Sequence, residues 1–247
     1  MNEKIRLALS GYGKVGQLVL KAAVADPEVN VVAVIEKKDH PLVGSRQGGV
    51  PVTADPSKIR KAQVLIEFST PDAVMEHLYF AAQFLVPMLI ATTGLNDEQK
   101  TEIKKKASQV PIVLTSNVTL GMNVLFVLIP KMAKVLFGAG WTGAIVEIHR
   151  EGKKDAPSGT ALIIAEKISK ATGKEIPISS IFSVRAGNIV GIHEIMLIGP
   201  SGEMLEIIHR VQSREDFALA AISLAKMMPG LDAGLYDISD LIVKELA

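Results

Sequence analysis

The 247-residue chain contains no cysteine. That alone excludes disulfides, thiolate nucleophiles and Cys-ligated zinc or iron–sulfur centres, and it agrees with a cytoplasmic location. An excess of one charge sign is also missing. With 27 Lys and Arg against 26 Asp and Glu, the formal net charge is +1, so no general basic field exists to hold nucleic acid or an anionic membrane. Long apolar runs are scarce. The opening MNEKIRLALSGYG has too short an apolar stretch for a signal peptide. The greasiest region, residues 120–141, is interrupted by Pro130, Lys131 and Lys134, which argues against a membrane span. The five histidines form no HExxH pair, and His193-Glu194 lacks a second His, so no metal site is expected. No G-x-S-x-G elbow supports a serine hydrolase. Internal repeats and low-complexity tracts are absent too.

What is present reads as an ordinary globular protein, 48% hydrophobic and 21% charged, long enough for two modest domains. A short apolar run at 5–9 ends in Ser-Gly-Tyr-Gly. Val15, Leu18, Val19, Ala22 and Ala23 then share one helical face, and a β-branched run follows at 29–35. That is one βαβ unit. Further buried strands are expected at 64–68, 88–91 and 112–114, with helices at 71–84 and 96–107, which predicts a Rossmann-like, doubly wound parallel sheet. The rhythm changes after about residue 121. A helix over 122–137 precedes an alternating run at 144–150, in which Val146 and Ile148 face one way and Glu147 and His149 the other. A helix at 159–171 and strands near 179–186, 189–198 and 203–211 follow, and Ser213 opens a last helix to about Met228. The expected organisation is a dinucleotide-binding domain over 1–121, completed by 228–247. A second α+β domain over 122–227, with an open mixed sheet, would serve substrate binding and oligomerisation.

Gly11-Tyr12-Gly13-Lys14-Val15-Gly16 matches G-x-G-x-x-G between a strand and a helix. Glycine allows the tight turn and the close approach of a pyrophosphate, and the helix N-terminus faces its charge. Glu36, twenty residues after Gly16, is placed to accept from ribose hydroxyls. Lys37 and Lys38 follow it. A carboxylate repels a 2′-phosphate while an adjacent ammonium can pair with it, so NADH and NADPH both remain open. Two more loops fall at the C-terminal ends of expected strands, where open α/β sheets bind ligands: Ala91-Thr92-Thr93-Gly94 and Thr115-Ser116-Asn117-Val118. They can hold a nicotinamide and its ribose; the plainer alternative is ordinary turn chemistry.

The densest charge lies in EIHREGKKDAPSGTA, residues 147–161. His149 ends a strand, Lys153 follows in a loop, and Ser158-Gly159-Thr160 opens a helix whose first amides are unpaired and whose dipole is positive at that end. His149, Arg150, Lys153 and those amides can surround an anion such as a small dicarboxylate. His and Lys are also side chains that deliver protons in catalysis. The alternative is a charged surface loop with an N-cap.

This stretch resembles the signature E-x-H-H-x-x-K-x-D-A-P-S-G-T-A of the 4-hydroxy-tetrahydrodipicolinate (dihydrodipicolinate) reductase family. Phe68-Ser69-Thr70-Pro71, Thr92-Thr93-Gly94, Ser116-Asn117, Gly121-Met122-Asn123, Val190-Gly191-Ile192-His193-Glu194, His209-Arg210, Ser213-Arg214 and Gly234-Leu235-Tyr236-Asp237 are similar to family landmarks, in order, over essentially the whole chain. The resemblance implies His149 as a proton donor/acceptor and Lys153 as a proton donor. It implies substrate-carboxylate contacts at Gly159 and Thr160, beside Ser158 and Arg150. For the cofactor it implies Ser10, Gly11, Tyr12, Gly13, Lys14, Val15 and Gly16, with Glu36, Lys37, Ala91, Thr92, Thr93, Thr115, Ser116, Asn117 and Val118. It further implies hydride reduction of an unsaturated cyclic dicarboxylate in diaminopimelate and lysine synthesis, by a homotetramer built through the second domain's sheet.

Four departures stand out. Arg150 replaces the second His of the signature, and it can pair bidentately with a carboxylate but cannot shuttle a proton at neutral pH. Arg185-Ala186-Gly187 stands where Arg-Glu-Gly is frequent, Val118 where Phe is familiar, and Ser10 where many members have Gly. Two other readings stay open: a related dehydrogenase of another amino or keto acid, such as a diaminopentanoate or aspartate dehydrogenase, and a non-catalytic dinucleotide sensor.

Overall fold

The structure, a computed structural model, describes residues 3–241; the 242–247 part of the expected returning segment lies outside them. The chain divides into two compact units, one reaching to Val118 and resuming at Phe217, the other spanning Thr119–Asp216.

The first unit opens with β1 (Ile5–Ser10), α1 (Lys14–Ala25) and β2 (Val29–Ile35), whose β-branched and apolar residues are buried by a parallel pairing. A hairpin not expected from the sequence follows, β3 (Arg46–Gln47) and β4 (Val50–Thr53). Its turn is Gly48-Gly49, both at positive φ (54° and 82°), the conformation a two-residue hairpin needs. β5 (Val64–Glu67), α2 (Pro71–Phe84), β6 (Met88–Ile90), α3 (Asp97–Lys106) and β7 (Pro111–Leu114) complete the alternation. Asn96 and Gln99 form a full capping box at the start of α3.

The strands order as β12-β7-β6-β5-β1-β2-β4-β3, where β12 (Gly234–Tyr236) runs parallel to β7. The chain leaves β1 toward β2 on one side and returns through β5 on the other, so the switch point lies between β1 and β5.

The second unit holds α4 (Leu120–Gly138), β8 (Thr142–His149), α5 (Gly159–Thr172), β9 (Ile181–Arg185), β10 (Gly191–Ile198) and β11 (Met204–Val211). Its sheet, β11-β10-β8-β9, is mixed: β8 and β9 are parallel, the other pairs antiparallel. Among the described residues α4 is the one helix long and apolar enough to cross a membrane by length and composition. Here Met122, Phe126, Ile129, Ala133 and Phe137 fall on one helical stripe and pack with Ala161, Ile164 and Ile168 of α5 against Ile145, Ile195 and Leu197 of the sheet.

The last long helix, α6 (Glu215–Met227), falls almost wholly in the first unit, although the sequence reading assigned it to the second domain. Lys226 ties the helix to the first unit: its ammonium lies 2.6 Å from Asp26 and 2.7 Å from Glu28, at the turn between α1 and β2. Ala218, Ala221, Ile222 and Ala225 form its buried face.

Candidate functional site

Two groups of residues, one in each unit, carry the chemistry. In the first unit the glycine turn is dictated by contact. Gly11 has φ +86°, and a Cβ there would stand 2.5 Å from the Phe68 carbonyl oxygen. A Cβ on Gly16 would stand 1.9 Å from the Gly11 oxygen. Gly13, the N-cap of α1, has open space instead, no side chain caps the helix, and no acid lies in its first turn. The first amides of α1 are therefore available to an anion, and the open approach at Gly13 lets one come close. Glu36 is held at this turn. Its carboxylate accepts from the Tyr12 amide at 2.5 Å and the Lys37 amide at 3.1 Å. The Lys37 ammonium is turned to Asp39 at 3.2 Å, on an exposed loop.

The other loops meet the same C-terminal edge of the sheet. Ala91 donates from its amide to the Glu67 carbonyl at 3.0 Å, Thr92 is buried beside that carbonyl, and Thr93 is exposed. The Thr115 hydroxyl donates to the Asn117 carbonyl at 2.9 Å and accepts from its amide at 3.1 Å, which rigidifies the second loop. Within it the Ser116 hydroxyl is buried and has no partner among the described residues. An orphan hydroxyl at that edge fits a ligand's polar atom. Ser10 and Val118 are placed differently. Val118 is buried in the core, and the Ser10 hydroxyl turns inward to Nδ1 of His77 at 3.0 Å, a ring that also meets Glu67 at 2.8 Å. The residues present thus fit a dinucleotide, through the α1 amides, Glu36 and the two loops.

In the second unit the organising residue is Glu147, which is fully buried. Arg185 reaches it from the neighbouring strand as a two-pronged pair, 2.7 Å to Oε1 and 2.9 Å to Oε2. The Ser158 amide donates to Oε1 at 3.2 Å, and Nδ1 of His149 meets Oε2. Burial pushes the Glu147 carboxyl up, but Arg185, with Ser183 and His149, outweighs it and holds the group down at about 2. An ionised carboxylate only accepts, so His149 carries its proton on Nδ1 and presents a bare Nε2. The His149 imidazole lies below its usual value because burial outweighs the pull of Glu147. Gly191 leaves room for this ring, since a Cβ there would stand 3.2 Å from Nε2.

Ser158 caps α5 by accepting from the Ala161 amide at 3.3 Å, leaving Gly159 and Thr160 as the first helical residues. Lys153 binds both oxygens of Asp155 at 2.8 Å. Burial would raise the Asp155 carboxyl, yet Lys153, with help from the Gly159 amide among others, brings it below its usual value. One internal carboxylate already sits among these groups. Arg150 is exposed and donates to the Glu151 carbonyl at 3.2 Å, so it is not drawn into the cluster around Glu147.

Sequence reading missed Arg185 and His193 as site residues and assigned no role to Glu147. The His193 ring stands edge-on to His149, centroids 5.2 Å apart, and its Nε2 lies 3.1 Å from the Ser158 hydroxyl. Period-two alternation places Glu147 beside His149, but the other two lie across strand pairings that only register reveals.

Family models described as dihydrodipicolinate reductase, N-terminus and C-terminus, match residues 5–118 and 121–242. The chain is 38% identical to the 4-hydroxy-tetrahydrodipicolinate reductase of Caldanaerobacter subterraneus subsp. tengcongensis, over 97% of this chain and 99% of the relative. Against that of Archaeoglobus fulgidus the figures are 35%, 96% and 100%. The fold is also that of the dipicolinate-bound dihydrodipicolinate reductase from Paenisporosarcina sp. TG-14, with a TM-score of 0.75 at 24% identity, covering 95% of this chain and 97% of that one. The chain belongs to the dihydrodipicolinate reductase family.

Proposed function

We propose that the protein catalyses the NAD(P)H-dependent reduction of 4-hydroxy-tetrahydrodipicolinate, which loses its hydroxyl as water (giving dihydrodipicolinate), to tetrahydrodipicolinate, in diaminopimelate and lysine synthesis. One observation carries the reading at the level of residues. A single ionised carboxylate, Glu147, fixes both the imidazole of His149 and the capping amide of Ser158 at the start of α5. An acid–base group and an anion-binding helix end are thereby held in one frame.

When bound, the dinucleotide supplies the hydride. Glu36 would accept from its ribose hydroxyls, and the first amides of α1 would hold its pyrophosphate. The Ser158 hydroxyl, the amides of Gly159 and Thr160, and the Arg150 guanidinium bind the substrate's carboxylates. Lys153 leaves Asp155 for the substrate and donates a proton, and His149 exchanges one at Nε2. We further assign a cytoplasmic homotetramer. On the sheet face opposite α4 and α5, Phe182, Val184, Met204 and Ile208 are exposed, a patch that suits burial between copies.

The test is nicotinamide absorbance with purified protein and NADH or NADPH, the substrate being made in situ from pyruvate and aspartate semialdehyde by the preceding synthase. Rapid oxidation is expected. No oxidation, with calorimetry still showing cofactor binding, would refute the assignment and direct attention to other amino and keto acids. Light scattering checks for a tetrameric mass.

A further inference from the structure

Ser158 and His193 are both almost wholly buried, at 2% and 3% exposure. The Ser158 oxygen lies 3.3 Å from the Ala161 amide, which can only donate, and 3.1 Å from Nε2 of His193. A serine hydroxyl has two lone pairs and one proton. Burial, with the neighbouring His149, lowers His193 to about 3, so the ring is neutral at ordinary pH and carries one proton. Two arrangements compete. With Nε2 bare, the serine proton goes to it and the ring proton sits on Nδ1, which is buried without a partner among the described residues. An orphaned buried N–H is rarer and costlier than an unfilled lone pair. With the proton on Nε2, the ring donates to the Ser158 oxygen and the orphan at Nδ1 is only a lone pair. That second arrangement fills both lone pairs of the serine oxygen. Its hydroxyl proton then has no acceptor among the described residues, so without ligand each arrangement leaves one buried donor unpaired; a ligand carboxylate facing that proton pairs it, and only the second arrangement is then left with no orphan donor.

We propose that His193 is a positioning residue that makes the Ser158 hydroxyl an obligate donor to a carboxylate oxygen of the substrate. This rests on the reading of Ser158 as a substrate contact. The device selects for an acceptor at that position. A carboxylate offers only acceptors, whereas a carboxamide offers a donor on one of its two sides.

The probe is dipicolinate (pyridine-2,6-dicarboxylate), with binding read by calorimetry and the folding of this unit read by the fluorescence of Trp141, its only tryptophan. Ser158→Ala should weaken dipicolinate by about tenfold or more, as for a lost bond to a charged group. Gln has a nitrogen at the reach of Nε2 and Asn only at the reach of Nδ1. His193→Gln should therefore bind nearly as the unaltered protein does, His193→Asn should bind several-fold more weakly, and NADH binding should be unchanged in both. In the Ser158→Ala background, His193→Asn should add nothing. Nitrogen NMR of the His193 ring in the dipicolinate complex should show the proton on Nε2. Additive losses, a His193→Asn variant that binds normally, or a proton on Nδ1 would overturn the role of His193 while leaving the function standing. Normal dipicolinate binding by Ser158→Ala would overturn the substrate contact itself, and this inference with it.

Discussion

Replacing Arg185 by methionine keeps much of the side-chain stem and removes both bonds to Glu147. The size of the effect follows from two opposed quantities. Taking one partner from a buried ion pair commonly costs about 3–5 kcal/mol, because the other charge is left uncompensated. Glu147, however, can escape by taking up a proton. In the fold its carboxyl falls from an ordinary 4.5 to about 2, a net preference for the ionised form of about 3 kcal/mol that remains after burial has been opposed. The lower figure sets the expectation: Arg185→Met should destabilise the second unit by about 3 kcal/mol at neutral pH.

The sign of the pH dependence follows from the same numbers. A carboxyl depressed in the fold contributes stability that is complete above 4.5 and is lost as pH falls through about 2. The gap between the parent protein and Arg185→Met should therefore be widest at neutral pH and close as pH falls from 4.5 toward 2. Urea unfolding followed by Trp141 fluorescence measures it, because that residue, partly buried, packs against the core of this unit. A gap below about 1 kcal/mol at neutral pH, the worth of an exposed pair, would refute the central place of Arg185. So would a gap that does not change with acid. Arg185→Lys should recover only part of the loss, since an ammonium cannot reproduce the two-pronged geometry.

Lys153→Ala should cut turnover by about a hundredfold or more, and normal steady-state activity in that variant would remove Lys153 from the chemistry. Glu36→Ala should weaken NADH more than NADPH in calorimetric titrations, since the carboxylate favours ribose hydroxyls and repels a 2′-phosphate; unchanged NADH affinity would discount the ribose contact. Glu147→Gln removes the charge that raises His149 while burial still lowers it, so the acidic limb of kcat/KM should move to lower pH. A limb that stays put or moves up would show that His149 is not the titrating group.

The legible parts of the chain were those whose physics is local. The glycine turn is one in part, because Gly16 is required by the Gly11 oxygen within the turn itself, although the atoms that crowd Gly11 come from Phe68 and Ser69 in the loop after β5. The alternation at β8 is another, since a period of two puts Glu147 and His149 on one side without reference to any partner. The hairpin at β3 and β4 was not legible. Its strands are only two and four residues long and the longer carries Pro51, so neither length nor composition rises above that of a loop. The placement of α6 failed for a different reason. Its apolar face would suit either unit, and the ion pairs of Lys226 with Asp26 and Glu28 join residues about two hundred positions apart.

The same reasoning explains why half of the acid–base cluster stayed hidden. Nothing in Ile181-Phe182-Ser183-Val184-Arg185 marks the arginine as more than a charged strand end. Its meaning comes from register: β9 pairs parallel to β8 with Arg185 opposite His149 and Ser183 opposite Glu147, so the guanidinium lands on the carboxylate one step back. His193 is likewise opposite Glu147 on the other side of β8, with its ring over the Ser158 cap. A single buried carboxylate is thus flanked by both neighbouring strands, and each supplies what the signature loop lacks. β9 supplies the charge that keeps Glu147 ionised, and β10 supplies the donor that frees the serine proton. The signature stretch holds the groups that would meet substrate, while the ionised state of Glu147 and the partner of the Ser158 hydroxyl come from Arg185 and His193, farther along the chain.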